Sequence, residues 1–488
     1  MVEIELKFQV PMIHRVDVSQ VFHHKNAQSI RVQTQYYDTA ERKLSAANVQ
    51  LHLVLHANHW VQTLICEDAK HLGYLEHQVN LGETDAPHVD VSLHRGTPAG
   101  AILFEVLGDE TQALTLQFET DIVRTLHNIE DQDSQIEVAL EVGEIRTEKD
   151  YLPIYELRFE LKTGSVNRLF SLVTDWVQRY ELWLDIRCRA ARGDQLQRRL
   201  KALPAIQACN PVLIKKLPAE IALREMIASC LQQILPNVAE MMTETNEAEH
   251  VHQARVGIRR LRSALRVFGH WSKQIDQTWE LTLKTLFNQL GAIRDRDALE
   301  EKLLPKLRAA GASYVKLPVQ IQPHQEEMQT SKDPSYTTLW LALIQFIQVP
   351  FDRQHQQHID DNLTELVGAE IKHMHRQLLK DAESCLDLND MMWHRMRKRL
   401  KRLRYCVEFI SSLYDKKQVR QYLNALSPVQ DILGQYNDVL IAEALFKQQV
   451  QHHPKAWFAL GWLAAHREQL RLESASALQQ LQHAKIFW

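Results

Sequence analysis

Two stretches of this chain, HQARVGIRRLR at residues 252–262 and HRMRKRLKRLR at residues 394–404, place like residues at like steps. Each opens on a histidine, His252 or His394. Basic residues follow at +3, +7 and +10: Arg255, Arg259 and Arg262 in the first, Arg397, Lys401 and Arg404 in the second. At ~100° per residue these positions fall within ~80° of one another, on one face of a helix. The offset is 394 − 252 = 142 residues. Downstream, QLGAIRDRDAL carries Leu290-Gly291 and then Asp295, and ILGQYNDVLIA carries Leu433-Gly434 and then Asp438. An internal duplication of this kind requires two equivalent helical units stacked in one body.

The apolar register is duplicated as well. Val251, Ala254, Ile258, Leu261, Leu265 and Phe268 form a 3.6-period seam on the first basic helix. Trp393, Met396, Leu400, Leu403, Val407 and Ile410 form the second. In both, the cations sit one residue on from the seam, ~100° around the helix. They therefore flank the packed face, and in a bundle two such helices would turn their cations into one groove. A lone basic face is usually a solvated one, but solvated faces mix signs and these stripes do not. Taken singly, His252 suits a cap as well as a ligand contact. Gly291 and Gly434 suit close packing, and Asp295 and Asp438 suit partners that orient a neighbouring cation.

Before about residue 165 the pattern has period two. EIELKFQV puts Glu3, Glu5 and Lys7 on one strand face and Ile4, Leu6 and Phe8 on the other. NVQLHLVLHANHWVQTLI reads as strand, turn at Ala57-Asn58-His59, strand. SQIEVALEVGEI and YELRFELKTG alternate in the same way, with helical insertions expected near 11–25 and 165–180. From about residue 218 helical periodicity takes over, opening with PAEIALREMIASCLQQILPNVAEMM. Pro204, Pro211 and Pro218 punctuate the stretch between the two regimes. The expected architecture is an α+β two-domain chain: an antiparallel sheet or barrel over 1–200, a linker over 201–217, and an all-α bundle with a pseudo-two-fold repeat over 218–475. QIQPHQEEMQTSKDPSY is expected to be a loop within the second domain.

No apolar run approaches the ~18 residues that a membrane span needs. The opening residues lack a signal peptide's basic and apolar regions, and the six cysteines are scattered. A cytoplasmic protein with reduced thiols is expected. The 24 histidines show no zinc-site spacing. Eight converging cations call for a polyanion, and arginine forks suit phosphate oxygens. Nucleic acid is the rival ligand. Against it stand a net charge of −4, where nucleic-acid domains carry broad basic excess, and the lack of aromatics interleaved for base stacking.

The duplicated His-x-x-Arg helices, each followed by Leu-Gly and Asp, resemble the CHAD domain, the conserved-histidine α-helical domain. The resemblance implies a bundle with internal pseudo-two-fold symmetry that binds inorganic polyphosphate in a basic groove. Carried over, the polyphosphate-facing residues would be His252, Arg255, Arg259, Arg262, His394, Arg397, Lys401 and Arg404, and polyphosphate granules would be a natural destination.

The opening EIELK resembles the signature of the CYTH domain, the family of adenylyl cyclases and thiamine triphosphatases. CYTH followed by CHAD is the order of bacterial inorganic triphosphatases. That family implies an antiparallel β-tunnel with carboxylates holding Mg²⁺ or Mn²⁺ and cations holding a triphosphate, a chemistry of positioning and charge neutralisation. Glu3, Glu5 and Lys7 would be the catalytic set. Glu3, Glu5, Glu141, Glu156 and Glu160 would hold metal, and Arg124, Arg189 and Arg192 would hold substrate. YYDTAERKL resembles the family's Tyr-Tyr-Asp-Thr-Pro, Thr63 falls at a strand threonine, and RCRAARG resembles Ser-Lys-Ala-x-Arg-Gly. The departures are substantial. His52 and Val54 stand at two arginine positions and Ile65 at a lysine. His77 and Val79 stand at an Arg and a Glu, Arg158 at the middle closing acid, and Glu141 at an Asp. Loss of one transition-state charge contact costs roughly 10²–10³ in rate. The expected function is polyphosphate binding with weak or absent triphosphate hydrolysis. Active metal-dependent hydrolysis of tripolyphosphate, and nucleic-acid binding by the helices, are the alternatives.

Overall fold

A computed structural model describes residues 4–23, 28–67, 74–108, 114–131, 133–243, 248–291, 299–312, 333–350, 362–383, 388–451 and 453–488. The chain divides into two compact units, one chiefly Met1–Pro204 and the other chiefly the residues from Ala205 onward.

The first unit is built on nine strands: β1 (Glu5–Gln9), β2 (Gln28–Asp38), β3 (Val49–His56), β4 (His59–Glu67), β5 (Tyr74–Gly82), β6 (Thr115–Asp131), β7 (Ser134–Arg146), β8 (Tyr151–Thr163) and β9 (Trp183–Leu184). They form one sheet in the order β5-β4-β3-β2-β6-β7-β8-β1-β9, with each neighbouring pair antiparallel. The β3–β4 turn is tight. Ala57 and Asn58 both have positive φ, +47° and +67°, as a two-residue hairpin loop that follows the strand twist requires.

Period-two alternation sorts the sheet into two faces. On one, Phe8, Val138 and Phe159 pack with α4 (Val166–Tyr180), whose Leu169, Phe170, Val173 and Val177 are fully buried. Nearby, α1 (Arg15–His23) brings Phe22 against Trp176. On the same face, Leu51 and Leu64 join Ala99, Leu103 and Leu107 of α3 (Pro98–Leu107). α3 is not expected from periodicity; its signal is Thr97, whose hydroxyl caps Gly100 N, followed by Pro98 at the first turn. The other face carries the charged residues and is covered in part by α5 (Arg189–Gln197). Gly193 of α5 lies so close to Phe118 that a Cβ there would come within 2.1 Å of the ring. Asp38 of the YYDT stretch is structural. Its carboxylate accepts from the backbone N–H of Thr39, Leu44 and Ser45 at 2.7, 2.9 and 3.0 Å, and so starts the short α2 (Lys43–Ala46).

The second unit is helical. Its principal elements are α6 (Ala219–Met241), α7 (Ala248–Phe268), α8 (Thr278–Gln289), α9 (Leu304–Ala309), the part of α10 (Pro334–Gln348) from Ala342 onward, α11 (Leu363–Glu383), α12 (Asp390–Phe409), α13 (Lys416–Gln449) and α14 (Ala456–Gln482). The duplication is visible in the packing order. α6 packs on α7 and α7 on α8; α11 packs on α12 and α12 on α13; and α7 meets α12 across the repeat. All twelve seam residues named from the sequence are buried. The proline-punctuated segment before α6 is fastened to this unit. Leu213 is buried and exchanges two hydrogen bonds with the Ser412 hydroxyl, and Ile206 exchanges two with the Asn237 amide. Most of the expected loop QIQPHQEEMQTSKDPSY, and Asp295, lie outside the described residues; the loop's last residues open α10.

Candidate phosphate-binding sites

In the helical unit the two stripes come together. Arg255 is buried on α7, donates to the Gly291 carbonyl at 3.2 Å, and lies 5.0 Å from the Phe287 ring centre. Arg259 and Arg262 lie over the same ring at 5.0 and 5.8 Å. One aromatic face thus gathers three guanidinium groups. Gly291, the glycine of the Leu-Gly step, serves here by its carbonyl and by its closeness to Arg255, whose Nη2 would be 3.6 Å from a Cβ. From α12, Lys401 enters the same space. Burial, and then the charges of Arg259, Arg397 and Arg255, push its ammonium down to about 6, with Asp438 opposing. Tyr405 of α12 accepts from Arg259 at 3.5 Å.

The two halves of the repeat differ at their ends. Arg262 is held by Glu280, as is Arg266. Arg404 is held by Glu408 four residues on. The His394 ring exchanges a hydrogen bond with Asn437 at 3.1 Å, and burial and Lys398 hold its pKa below the ordinary value. His252 is half-buried.

In the sheet unit the family's carboxylates and cations are on one face, but they are divided. Directly opposed partners set the layout: Glu5 faces Glu160, Lys7 faces Arg158, and Gln9 faces Glu156 across β1–β8. Glu160 faces Glu137, and Glu156 faces Glu141, across β7–β8. Arg158 sits among one set. Its Nη1 donates to Glu160 at 2.8 Å and Glu5 at 3.2 Å, and its Nη2 donates to Glu137 at 2.8 Å. Arg124, Arg189 and Arg192 take the other set. Arg124 donates to Glu141 at 2.7 Å, Arg189 bonds Glu141, and Arg192 bonds Glu156. Lys7 donates to the Arg187 carbonyl at 2.7 Å. Burial holds its pKa low, against the pull of Glu156. Glu3 lies outside the described residues. Among the described residues no group of three or more His, Cys, Asp or Glu side chains is arranged to hold a metal ion. The described donor set therefore fits guanidinium groups rather than a dication: Glu5, Glu141, Glu156 and Glu160 are each already in an ion pair.

The opposite wall is nearly without charge. His52 is buried, with its ring 5.1 Å from Tyr36, and faces Thr63 across β3–β4. Burial pushes its pKa to about 4. His52 therefore adds no charge to this wall in mildly acidic solution. His77 and Val79 are a correction. They pair with Leu64 and Gln62, on the far side of the strand from Thr63 and Ile65. The wall positions on β5 are Gln78 and Glu76. A one-residue slip in reading a strand exchanges its two faces. His77 instead meets His94 at 2.9 Å.

Residues 1–184 match the CYTH domain and residues 225–447 match the CHAD domain. The chain is a CYTH domain fused to a CHAD domain. Over 106 residues it is 36% identical to an inorganic triphosphatase of Haemophilus influenzae, across 21% of this chain and 30% of that protein. The chain thus spans under a third of the curated relative it matches. Among solved structures, it is similar to the CHAD domain of the plant Ricinus communis: 26% identity, 58% of this chain, 99% of that one, TM-score 0.47. A Hippeastrum protein described as having a dominant triphosphatase activity matches at 15% identity over 40% of this chain and 96% of that one, with TM-score 0.31.

Within the CYTH domain, the sequence reading overlooked Asp185 and Glu137. Asp185 follows β9 and is fully buried. Burial would raise its pKa, but the bonded Arg187 guanidinium, with Arg192 and Lys7, brings it down to about 2. Its neighbour Arg187, two residues on, was the available signal. Glu137 is one of the polar positions of the alternating SQIEVALEVGEI stretch. Its place opposite Glu160 becomes visible only once β7 and β8 are in register. Within the CHAD domain, no described helix is long and apolar enough to cross a membrane.

Proposed function

We propose that this protein binds inorganic polyphosphate through its CHAD domain, and that its CYTH domain hydrolyses tripolyphosphate feebly or not at all. The observation that carries the first part is the meeting of Lys401 with Arg255, Arg259 and Arg397 at the α7–α12 seam. Like charges gathered in a groove of low dielectric repel strongly. A bound polyanion relieves that repulsion, and a flexible phosphate chain can follow a line of forks that bulky nucleotides cannot. His252, Arg262, His394 and Arg404 extend the line at either end.

For the CYTH domain, the observation is Arg158 among Glu5, Glu137 and Glu160. A guanidinium at that position repels a dication and competes for its oxygens. On the other wall, Val54, Ile65 and a neutral His52 offer a triphosphate no charge. Arg124, Arg189, Arg192 and Lys7 remain to bind phosphate, but each would have to leave a carboxylate or carbonyl partner. The second reading is metal-dependent inorganic triphosphatase, with Glu5, Glu141, Glu156, Glu160 and Glu3 as oxygen donors to Mg²⁺ or Mn²⁺. The likeness to the Haemophilus influenzae inorganic triphosphatase favours it.

One pair of measurements tests the proposal. Long-chain polyphosphate should bind with a steep salt dependence, because each neutralised phosphate releases counterions. Phosphate release from tripolyphosphate at pH 8–9, with and without Mn²⁺, should stay near the uncatalysed rate. Efficient Mn²⁺-dependent release would establish the second reading.

A further inference from the structure

The second basic helix carries more cations than the duplication accounts for. One step round α12 from the shared stripe lie Arg395, Lys398, Arg399 and Arg402. Subtracting 142 gives their counterparts on α7: Gln253, Val256, Gly257 and Arg260. On α7 this flank is packed. A Cβ on Gly257 would come within 2.6 Å of Ile234 on α6. Arg260 is fully buried, with hydrogen bonds to Gln233 and Asn210. Three of the four cations, Arg395, Lys398 and Arg399, therefore have no basic counterpart in the repeat, and the counterpart of Arg402, Arg260, is buried in packing.

On α12 the same flank opens into a cleft of about 410 Å³, lined by all four cations together with Arg266 of α7, Met391 and His394. Arg395, Lys398 and Arg266 are exposed. Two carboxylates are recorded against these cations among the described residues: Glu280, held by Arg262 and Arg266, and Asp381, held by Arg399. The excess positive charge is felt locally. Burial and then Arg262, Arg266 and Lys284 hold the Lys398 ammonium below its ordinary value. Burial and Arg266 do the same for Arg402. Two residues join this cleft to the groove between α7 and α12. His394 belongs to both, and Arg262 shares the Phe287 ring with Arg255 and Arg259 while its charge reaches Lys398. Along α7, Arg255 to Arg266 is eleven residues, about 16 Å of helix, a path longer than three phosphoryl units.

We propose that this cleft is a second phosphate-binding station, which takes the overhang of a polyphosphate chain seated between α7 and α12 and so makes the CHAD domain selective for long chains. The inference rests on the polyphosphate reading of the groove. It commits to the same ligand, because the cleft, like the groove, offers guanidinium and ammonium groups, its apolar lining residue is Met391, and the ring in its lining, His394, is bonded to Asn437.

The test uses the full chain and the triple variant Arg395→Gln, Lys398→Gln, Arg402→Gln, with tripolyphosphate and long-chain polyphosphate as probes at several salt concentrations. Long-chain affinity should fall tenfold or more, and the salt slope should shrink by roughly 2–3, at ~0.7–0.9 per lost phosphate contact. Tripolyphosphate binding should stay within twofold. The exposed Lys398→Glu alone should lower long-chain affinity severalfold, which keeps the test open should the triple variant fold poorly. Unchanged long-chain affinity, or equal loss for both probes, overturns the proposal. So does loss of single-stranded RNA binding with polyphosphate unaffected. The pair Arg255→Ala, Lys401→Ala tests the groove separately. If it keeps both probes while the flank variant loses the long chain, the groove reading fails and the cleft stands.

Discussion

Arg158 Nη1 lies 2.8 Å from Glu160 Oε2, two residues further along the same strand and on the same face of the sheet. Glu5 and Glu137 complete a ring of three carboxylates around one guanidinium. Arg158 is only 12% exposed, and Glu137 and Glu160 are 15% and 12% exposed. The carboxylates raise its pKa against the effect of burial. A cation fixed by the backbone does for these carboxylates what a diffusible metal would otherwise do.

Removing that cation should therefore have two effects of opposite sign. Arg158→Ala leaves Lys162, which pairs with Glu160 and Glu137, as a nearby cation for the three carboxylates, and breaking a largely buried ion cluster costs up to about 3–5 kcal/mol. The same variant should gain divalent binding. Mn²⁺ should leave the melting temperature of the parent within a degree and raise that of Arg158→Ala by several degrees. A parent stabilised by Mn²⁺ as much as the variant would mean that Arg158 leaves its partners readily.

At the groove, Arg255→Ala, Arg259→Ala, Arg397→Ala and Lys401→Ala together should abolish polyphosphate binding. Helical content should be retained, because the twelve seam residues are untouched. Isothermal titration alongside circular dichroism separates the two. Binding at parental affinity would remove the groove from the proposal.

Much of this arrangement is legible in the sequence because helical and strand periods are geometric. The stripe at His252 and His394 and its offset from the seam follow from 3.6 residues per turn. The alternation of Glu5 and Lys7 against Leu6 and Phe8 follows from a period of two. What was not legible depends on register between strands and on burial. His77 was read on the wrong face because a single strand does not reveal which neighbour it pairs with. The burial of His52 was not legible because sequence does not show that Tyr36 and the sheet exclude water from it. The cleft at Arg395 and Lys398 escaped because a stripe search keeps the repeated positions and discards the unrepeated ones.

His52 yields a prediction of constancy. With its pKa near 4, it stays neutral from pH 8 to about pH 5, so acidification over that range adds no charge beside Thr63. Tripolyphosphate affinity of the isolated site should not change through His52, and His52→Gln should have the same pH profile as the parent. A profile that flattens in His52→Gln would show that the ring titrates near 6 and is open to water.

Gly257 tests the packing that separates the two flanks. A Cβ at this position would come within 2.6 Å of Ile234 Cγ1, so Gly257→Ala should strain the α6–α7 contact and cost roughly 1–3 kcal/mol. Chemical denaturation measures this directly. A neutral effect would mean that Ile234 has another rotamer available, and that this flank of α7 is less closely packed than its missing side chain implies.

Lys401 gives the sharpest pH dependence. Its ammonium is pushed down to about 6 by burial and by Arg259, Arg397 and Arg255, against Asp438, from an ordinary value of ~10.4. In the unliganded protein the unfolded chain therefore binds more protons than the folded one between those values. By linkage, this group's contribution to stability is fully present above the unfolded value and is lost as pH falls towards 6. A phosphate chain reverses the balance. Its charge favours the ammonium, so binding takes up a proton wherever Lys401 is neutral when free and charged when bound. Polyphosphate affinity should accordingly fall as pH rises above about 6, by up to tenfold per pH unit, and level off below it. Lys401→Arg is charged throughout and should flatten that dependence while retaining binding; Lys401→Ala should flatten it with weaker binding at all pH values. Binding titrations from pH 5.5 to 9 at constant ionic strength, repeated in two buffers of different ionisation enthalpy, measure both the slope and the proton uptake. A parental profile as flat as that of Lys401→Arg would mean that the lysine is already charged in the empty groove.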